Sequence, residues 1–398
     1  MAEADEPDAV LADERYADLR LTDGIELSVA DGNIVLTNGA TGARKAFARE
    51  DLAVLERFTD WIDPTALIQQ ALDDAGEEQG SAAAAIDRSI AVFRDLLSIG
   101  ALSSRRDDLT GERIPSPGAG WEAAMRFLLE TRTTDRTRFA VPEEYNAALA
   151  VKASLARQAS AYLEVVDAPF IALPPPITSS RKGASFPKVL ETRRTARRYA
   201  DEALSEAHLS TLLYYGWGQL RTVPNPLGDV FVRKTSPSGG SLHPVEVYPV
   251  VLNVEGVAKG CYHYSVRRHG LEKISTGDPS EWIAAACGDQ KWVEEAGVVF
   301  LLAAFLPRTA WKYDYSRVAR AVMAEIGLSS QSALLTATWL GLGGFTTAAL
   351  RDETFERQLS LDPLRQPVFS VVGAGALEPE ISDHARPRYE TALPVEGT

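Results

Sequence analysis

Apolar side chains recur along this chain at two spacings, and each spacing predicts a different element. Ile25, Leu27 and Val29 alternate with polar neighbours, Asp31-Gly32 supplies a turn, and residues 33–37 return with the same alternation, so a β-hairpin is expected. Leu52, Leu55 and Phe58 then repeat at helical spacing. Asp63 and Pro64 make an N-cap with proline at the first helical position, opening a second helix that carries Leu67, Ile68 and Leu72. Ile86, Ile90, Phe93 and Leu97 mark a third helix, entered from a loop at residues 77–80 and stopped by Gly100. A hairpin with three short helices predicts a winged-helix-like module, bounded at 1–106.

Residues 107–120 carry Gly111, Pro115, Pro117, Gly118 and Gly120, a linker composition. Trp121, Met125, Leu128 and Leu129 share one helical face, and Leu149, Val151 and Leu155 another, before the stiff, extended Ala172-Leu173-Pro174-Pro175-Pro176. The stretch 107–180 is therefore a helical linker region, and a further domain is expected over 181–398.

In that domain helices and strands alternate without a repeated βαβ unit. A short helix near Lys188 carries an arginine cluster, and Leu209, Leu212 and Leu213 mark a helix entered through Leu204 and capped by Ser205. Strands are expected at 245–251, 260–264, 298–304 and 368–372, with a helix around Trp282 and a long one over about 316–340. This pattern predicts an α+β fold in three layers and not a doubly wound parallel sheet.

Net charge is −14, and its distribution changes the picture: residues 1–110 hold 23 acidic against 10 basic side chains, nearly the whole excess. A winged helix that binds DNA needs cationic side chains to displace counterions, so nucleic acid is excluded as a partner. The apolar runs are too short to span a membrane, and the acidic start MAEADEPDAV lacks a signal peptide's apolar stretch, so a cytoplasmic location is expected. Cys261 and Cys287 form no framework, the five histidines are scattered, and no metal-ligand spacing occurs. Gly373-Ala374-Gly375-Ala376 lacks the last glycine of a dinucleotide fingerprint and follows the final strand.

Four stretches carry candidate chemistry. Arg193, Arg194 and Arg197 put three guanidiniums on one turn of chain, which suits a phosphate but also an ordinary solvated helix start. Pro237, Ser238, Gly239 and Gly240 lie in a loop whose adjacent glycines let backbone N–H groups approach a planar or anionic ligand; a plain entry to the strand at 245 reads the same way. Gly341-Leu342-Gly343-Gly344 either stops the long helix or brings backbone close to a ligand. Lys312 and Tyr313, within Trp311-Lys312-Tyr313-Asp314-Tyr315, are acid–base candidates or a surface strand end.

The order of these motifs, Arg-Arg-Thr-Ala-Arg-Arg-Tyr at 193–199, Pro-Ser-Gly-Gly at 237–240 leading into the strand with Glu246 and Tyr248, then Lys312-Tyr313, resembles the SagB-type dehydrogenases. These are FMN enzymes of the nitroreductase fold that oxidise azoline rings in ribosomally made peptides. The likeness covers roughly 188–389. It implies a homodimer in which Arg193, Arg194, Thr195 and Arg197 hold FMN, closed by the C-terminal Arg386 and Arg388. Pro237, Ser238, Gly239 and Gly240 would lie along the flavin, reaching in from the second subunit, and Gly343 and Gly344 would bring a backbone N–H to the N5 region. Lys312, with its pKa lowered by burial near the arginines, would be the base, and Tyr313 would share its proton. The resemblance also implies a peptide substrate and a cyclodehydratase partner. The N-terminal module would either recognise the substrate's leader through an edge strand or support dimer packing. The chain departs from the pattern at Leu328, often a histidine, which leaves open an NAD(P)H-dependent nitro- or ene-reductase and a catalytically silent peptide-binding subunit.

Overall fold

The computed structural model describes residues 19–21, 25–39, 41–59, 79–104, 121–133, 141–179, 184–226, 230–313 and 315–378. Two compact units emerge: Met1–Ala147 with Tyr313–Val318, and Ala148–Lys312 with Ala319–Thr398.

In the first unit, β1 (Leu19–Leu21) is followed by the expected hairpin of β2 (Ile25–Ala30) and β3 (Asn33–Asn38), to which β4 (Arg44–Phe47) adds a third antiparallel strand. Then come α1 (Leu52–Arg57), α2 (Gln79–Ser98) and β5 (Leu102–Ser104), which pairs back onto β1. Ile34, Leu36 and Phe47 are the inward side chains of the sheet, and they bury against Val54, Leu55 and Phe58 and against Val92, Phe93 and Leu96 of α2. Gly100 takes the left-handed conformation (φ 63°) expected beyond a helix end. The Asn38 side-chain amide donates to the carbonyls of Ile99 (3.0 Å) and Gly100 (2.8 Å), so this helix end has side-chain partners. The loop expected at 77–80 is shorter than anticipated, because Gln79 and Gly80 already belong to α2; the helix expected from Pro64 lies outside the described residues. Two further helices, α3 (Glu122–Glu130) and α4 (Pro142–Leu155), form in the region expected to be helical; α4 runs on past the end of this unit, and of the apolar side chains named for the two, Leu149 is buried while Trp121, Leu128, Val151 and Leu155 are exposed. The strap Tyr313–Val318 belongs to this unit: Tyr313 stacks on Tyr145 at 6.5 Å between centroids, and the Ser316 hydroxyl donates to Glu26 (2.7 Å).

The second unit is built on a seven-stranded antiparallel sheet in the order β13-β14-β12-β9-β10-β11-β6. In chain order its elements are β6 (Phe170–Ala172), α5 (Phe186–Thr192), α6 (Glu206–Trp217), β7 (Arg221–Pro224), β8 (Val230–Arg233), β9 (Val245–Val251), β10 (Gly260–Ser265), β11 (Gly270–Thr276), α7 (Ser280–Ala286), β12 (Val298–Ala304), α8 (Leu306–Ala310), α9 (Val318–Leu340), β13 (Gly343–Thr347), α10 (Asp352–Leu359) and β14 (Val368–Gly375). β12 pairs with β9 from Val298↔Val251 to Ala304↔Val245 and with β14 on its other side. Alternate residues of these strands enter two cores. Val245, Val247, Phe300 and Leu302 meet Leu209, Leu213 and Trp217 of α6 and Ile326 and Leu334 of α9. Tyr248, Val250, Val299 and Leu301 meet Ile283 of α7 and Phe355 and Leu359 of α10. Helices thus cover both faces, giving the expected three layers, and β9 is buried at all seven positions. Ser205 caps α6, accepting from the His208 N–H at 3.2 Å. Gly373-Ala374-Gly375 does not follow the last strand but forms its end, pairing with Phe345, Gly344 and Gly343 of β13.

Charged side chains lie inside this apolar frame. Arg308 donates to Glu246 Oε1 (2.7 Å) and to the His243 (2.6 Å) and Ser160 (2.8 Å) carbonyls. His263, fully buried on β10, faces Glu246 of β9 at 3.2 Å and Glu272 of β11 at 2.8 Å, one carboxylate to each ring nitrogen. Burial alone would raise both carboxyls, but Arg308, His263 and Lys234 outweigh it at Glu246, as His263, the Val165 N–H and Arg268 do at Glu272; each is held at about 2. Burial works against the imidazolium as well, yet the two carboxylates raise His263 above its ordinary value. The carboxylates therefore contribute stability above pH 4.5, lost as pH falls toward 2, whereas the His263 contribution is complete below 6.5 and is lost as pH rises through its raised value. Arg308→Met leaves Glu246 buried without its main cationic partner and should cost about 3–5 kcal/mol in urea unfolding at pH 7. It should also shift the onset of acid unfolding to higher pH.

Candidate active site

The arginine cluster does not ride on a helix, as the sequence suggested. α5 ends at Thr192, Arg193 is already extended (ψ 121°), and the chain continues extended because Thr195 forms a parallel bridge with Gly344, with the Ala196 N–H donating to the Gly344 carbonyl at 2.9 Å. Pairing with a distant strand overrides the local helical tendency. Arg193 is half-buried and Arg194, Arg197 and Arg198 are exposed. Arg194 donates to the carbonyls of Glu191 (3.0 Å) and Arg193 (2.7 Å), and Arg197 lies over the Trp292 ring at 5.8 Å. Among the described residues no carboxylate pairs with any of the four. Four uncompensated guanidiniums within residues 193–198 are what a phosphate group would neutralise.

Gly343 and Gly344 form the start of edge strand β13 and not merely a helix stop. A Cβ on Gly343 would come within 2.7 Å of the Ala196 Cβ and 2.5 Å of Leu377, so glycine is what lets the arginine segment close on the sheet. Thr195, Gly343 and Gly344, singled out separately in the sequence, are therefore neighbours. Arg386 and Arg388 lie outside the described residues.

The 237–240 loop is anchored on α9. Ser236 and Ser332 hydroxyls lie 2.9 Å apart, the Gly239 N–H donates to Glu325 Oε1 at 2.7 Å, and the His243 N–H donates to Ser238 Oγ at 2.8 Å. Three residues here have left-handed backbone, Gly240 (φ 63°), Ser241 (φ 60°) and His243 (φ 48°). Such strain persists only where the surroundings fix it. The Ser241 hydroxyl and the His243 ring both bond the Val232 carbonyl at 2.9 Å. Gly344 packs on Leu334 of the same helix, so the loop and the arginine segment share α9 as their support.

Lys312 sits in the turn after α8, not at a strand end. Burial lowers its pKa, in the expected direction. Its carbonyl accepts from Lys152 Nζ at 3.4 Å. Tyr313 has its ring contacts with Tyr145 and Tyr315 in the first unit.

Sequence reasoning missed Lys234, Glu246, His263, Glu272, Arg308 and Glu325. Three carried a signal, a polar or charged residue inside an apolar pattern: Glu246 within Val-Glu-Val, His263 between two tyrosines, Glu325 in the buried stripe of α9 with Val322, Ile326 and Ser329. Lys234, half-buried, is lowered to about 8, chiefly by burial. Among the described residues no His, Cys, Asp and Glu cluster could hold a metal, and no helix is long and apolar enough to cross a membrane.

Residues 190–375 match the profile of the nitroreductase family. The chain is 32% identical over 173 residues to Putative nitroreductase MJ1384 of Methanocaldococcus jannaschii, covering 44% of this chain and 83% of that protein. It is 30% identical over 166 residues to the Trifolitoxin-processing protein TfxB of Rhizobium leguminosarum bv. trifolii (41% of this chain, 44% of that one). To the Microcin B17-processing protein McbC of Escherichia coli it is 28% identical over 155 residues (36% and 57%), so it spans about half the length of these two peptide-processing relatives.

Inorganic phosphate should raise the melting temperature of the wild-type protein, by an amount that grows with the logarithm of its concentration above the dissociation constant, as for a ligand bound only by the folded state. Arg193→Ala and Arg194→Ala should each reduce that shift in a calorimetric titration.

Proposed function

The chain belongs to the nitroreductase family, and from that premise we propose that it is an FMN-dependent oxidoreductase acting in the maturation of a ribosomal peptide, by oxidising an azoline ring to an azole. The observation that carries this reading is the row of guanidiniums beside the Thr195–Gly344 bridge, a cationic seat on a sheet edge that pairs with no carboxylate among the described residues. The names of two relatives, a trifolitoxin-processing and a microcin-processing protein, support the choice of a peptide over a free small molecule.

In this proposal Arg193, Arg194 and Arg197 hold the phosphate of FMN, Thr195 offers a hydroxyl beside them, and Gly343 and Gly344 keep side chains off its approach. Arg386 and Arg388 complete the phosphate seat. Pro237, Ser238, Gly239 and Gly240 pack along the flavin of a second copy in a homodimer. FMN, once bound, would supply the two-electron acceptor, with oxygen as the terminal oxidant. Lys312 takes the ring proton at Nζ; burial already moves that group toward the neutral amine a base requires. Tyr313, next in the chain, shares the proton. The winged-helix-like module recognises the leader of the substrate, and a cyclodehydratase partner supplies the azoline.

Purified protein should be yellow, bind FMN and not FAD, and be dimeric in sedimentation; a colourless monomer that takes up no flavin would overturn the proposal. Lys312→Ala should leave FMN content unchanged while slowing anaerobic flavin reduction by substrate about 100-fold or more, the usual cost of losing a general base. Bleaching at the wild-type rate would place the base elsewhere. Mass spectrometry of candidate peptides co-expressed with and without the protein tests the substrate class.

A further inference from the structure

Glu325 is a carboxylate on the buried stripe of α9, 8% exposed, and burial raises its pKa. A buried carboxylate is costly unless hydrogen bonds stabilise it. Its partners all belong to one short stretch of chain. The Gly239 N–H donates to Oε1 at 2.7 Å, the Ser238 hydroxyl also bonds the carboxylate, and Lys234 acts on it through space. No ion pair within 4.0 Å involves it among the described residues.

We propose that Glu325 is the positioning residue for the 237–240 loop, selecting which loop amide faces a ligand; as a functional claim this rests on the reading of that loop as part of the cofactor site. The loop and the residues that leave it hold three positive-φ positions, 240, 241 and 243, and therefore need anchors at both ends. The far end is fixed by Arg308, which binds the His243 carbonyl at 2.6 Å. The near end has Glu325. With the Gly239 N–H committed to the carboxylate, the Gly240 N–H is left without a partner among the described residues. A small cavity, about the size of a water molecule, is lined by Glu325, Lys234, Ser236, Pro237 and His243, so the carboxylate and the loop border the same space.

The test needs two readouts. Amide hydrogen exchange over residues 234–243 of the cofactor-free protein reports the anchor itself: Glu325→Leu should exchange about tenfold faster than wild type and Glu325→Gln, which keeps an acceptor oxygen, close to wild type. FMN affinity, read by quenching of flavin fluorescence, reports the consequence. Glu325→Leu should weaken it about tenfold, Glu325→Gln should largely restore it, and Ser238→Ala should add little on top of Glu325→Leu while Arg193→Ala adds in full. Should the leucine variant not fold, Glu325→Asp, which withdraws the carboxylate by one methylene, takes its place. Unchanged exchange, or full additivity with Ser238→Ala, overturns the inference. Wild-type protein that binds no FMN overturns the functional reading instead, and the exchange data then decide the anchor alone.

Discussion

Arg308, Glu246, His263 and Glu272 are ionisable groups inside the protein with little beyond one another, Arg268 and a few backbone groups to replace water. Each charge is tolerable only while its neighbours hold hydrogen-bonding distance, so the four fix the spacing of β9, β10 and β11 more tightly than apolar packing would. A slip of one residue in any of these strands would turn its charged member to the opposite face and strand the others. The same chain of contacts reaches outward: Arg308 holds the carbonyls of His243 and Ser160, and Glu272 the N–H of Val165 at 2.8 Å. The loop after β8 therefore hangs from the most constrained point of the sheet.

That dependence explains a division within the candidate site. Its backbone parts, the glycine strand and the strained loop, are rigidly determined by α9 and the buried charges. The charged ends of its arginines are left in or near solvent, where they can adapt to a ligand. Fixed donors on a rigid frame, with solvent-reachable cations on the same support, is an arrangement that orients one end of a ligand and tolerates variation at the other.

Much of this was legible in the sequence where structure is locally determined. β12 spans the predicted residues, the hairpin turns at Asp31-Gly32, and Ser205 caps α6, because apolar period, turn chemistry and capping act over a few residues. β6, β11 and β13 were not foreseen. β13 begins with two glycines and reads as the stop of α9; its extended state comes from pairing with β14, some thirty residues on. The arginine segment failed for the same reason, its conformation being set by Gly344. Motif order identified Thr195 and the 237–240 loop as worth attention, yet not Glu325, whose partners lie 86 residues away at Gly239.

The parallel bridge at Thr195 has a bearing on solubility. A seven-stranded sheet ends in two rows of backbone groups, and an uncovered row invites a second molecule to add itself. Beyond β13 the row is occupied at Gly344 by the arginine segment, whose like charges also repel an approaching copy of the same edge. Beyond β6, a strand of three residues, the chain runs straight into Pro174, Pro175 and Pro176, which lack the N–H that further pairing would need. The stretch read as a ligand seat is thus also a guard against aggregation, and replacing its arginines with apolar residues would expose the sheet to its own kind.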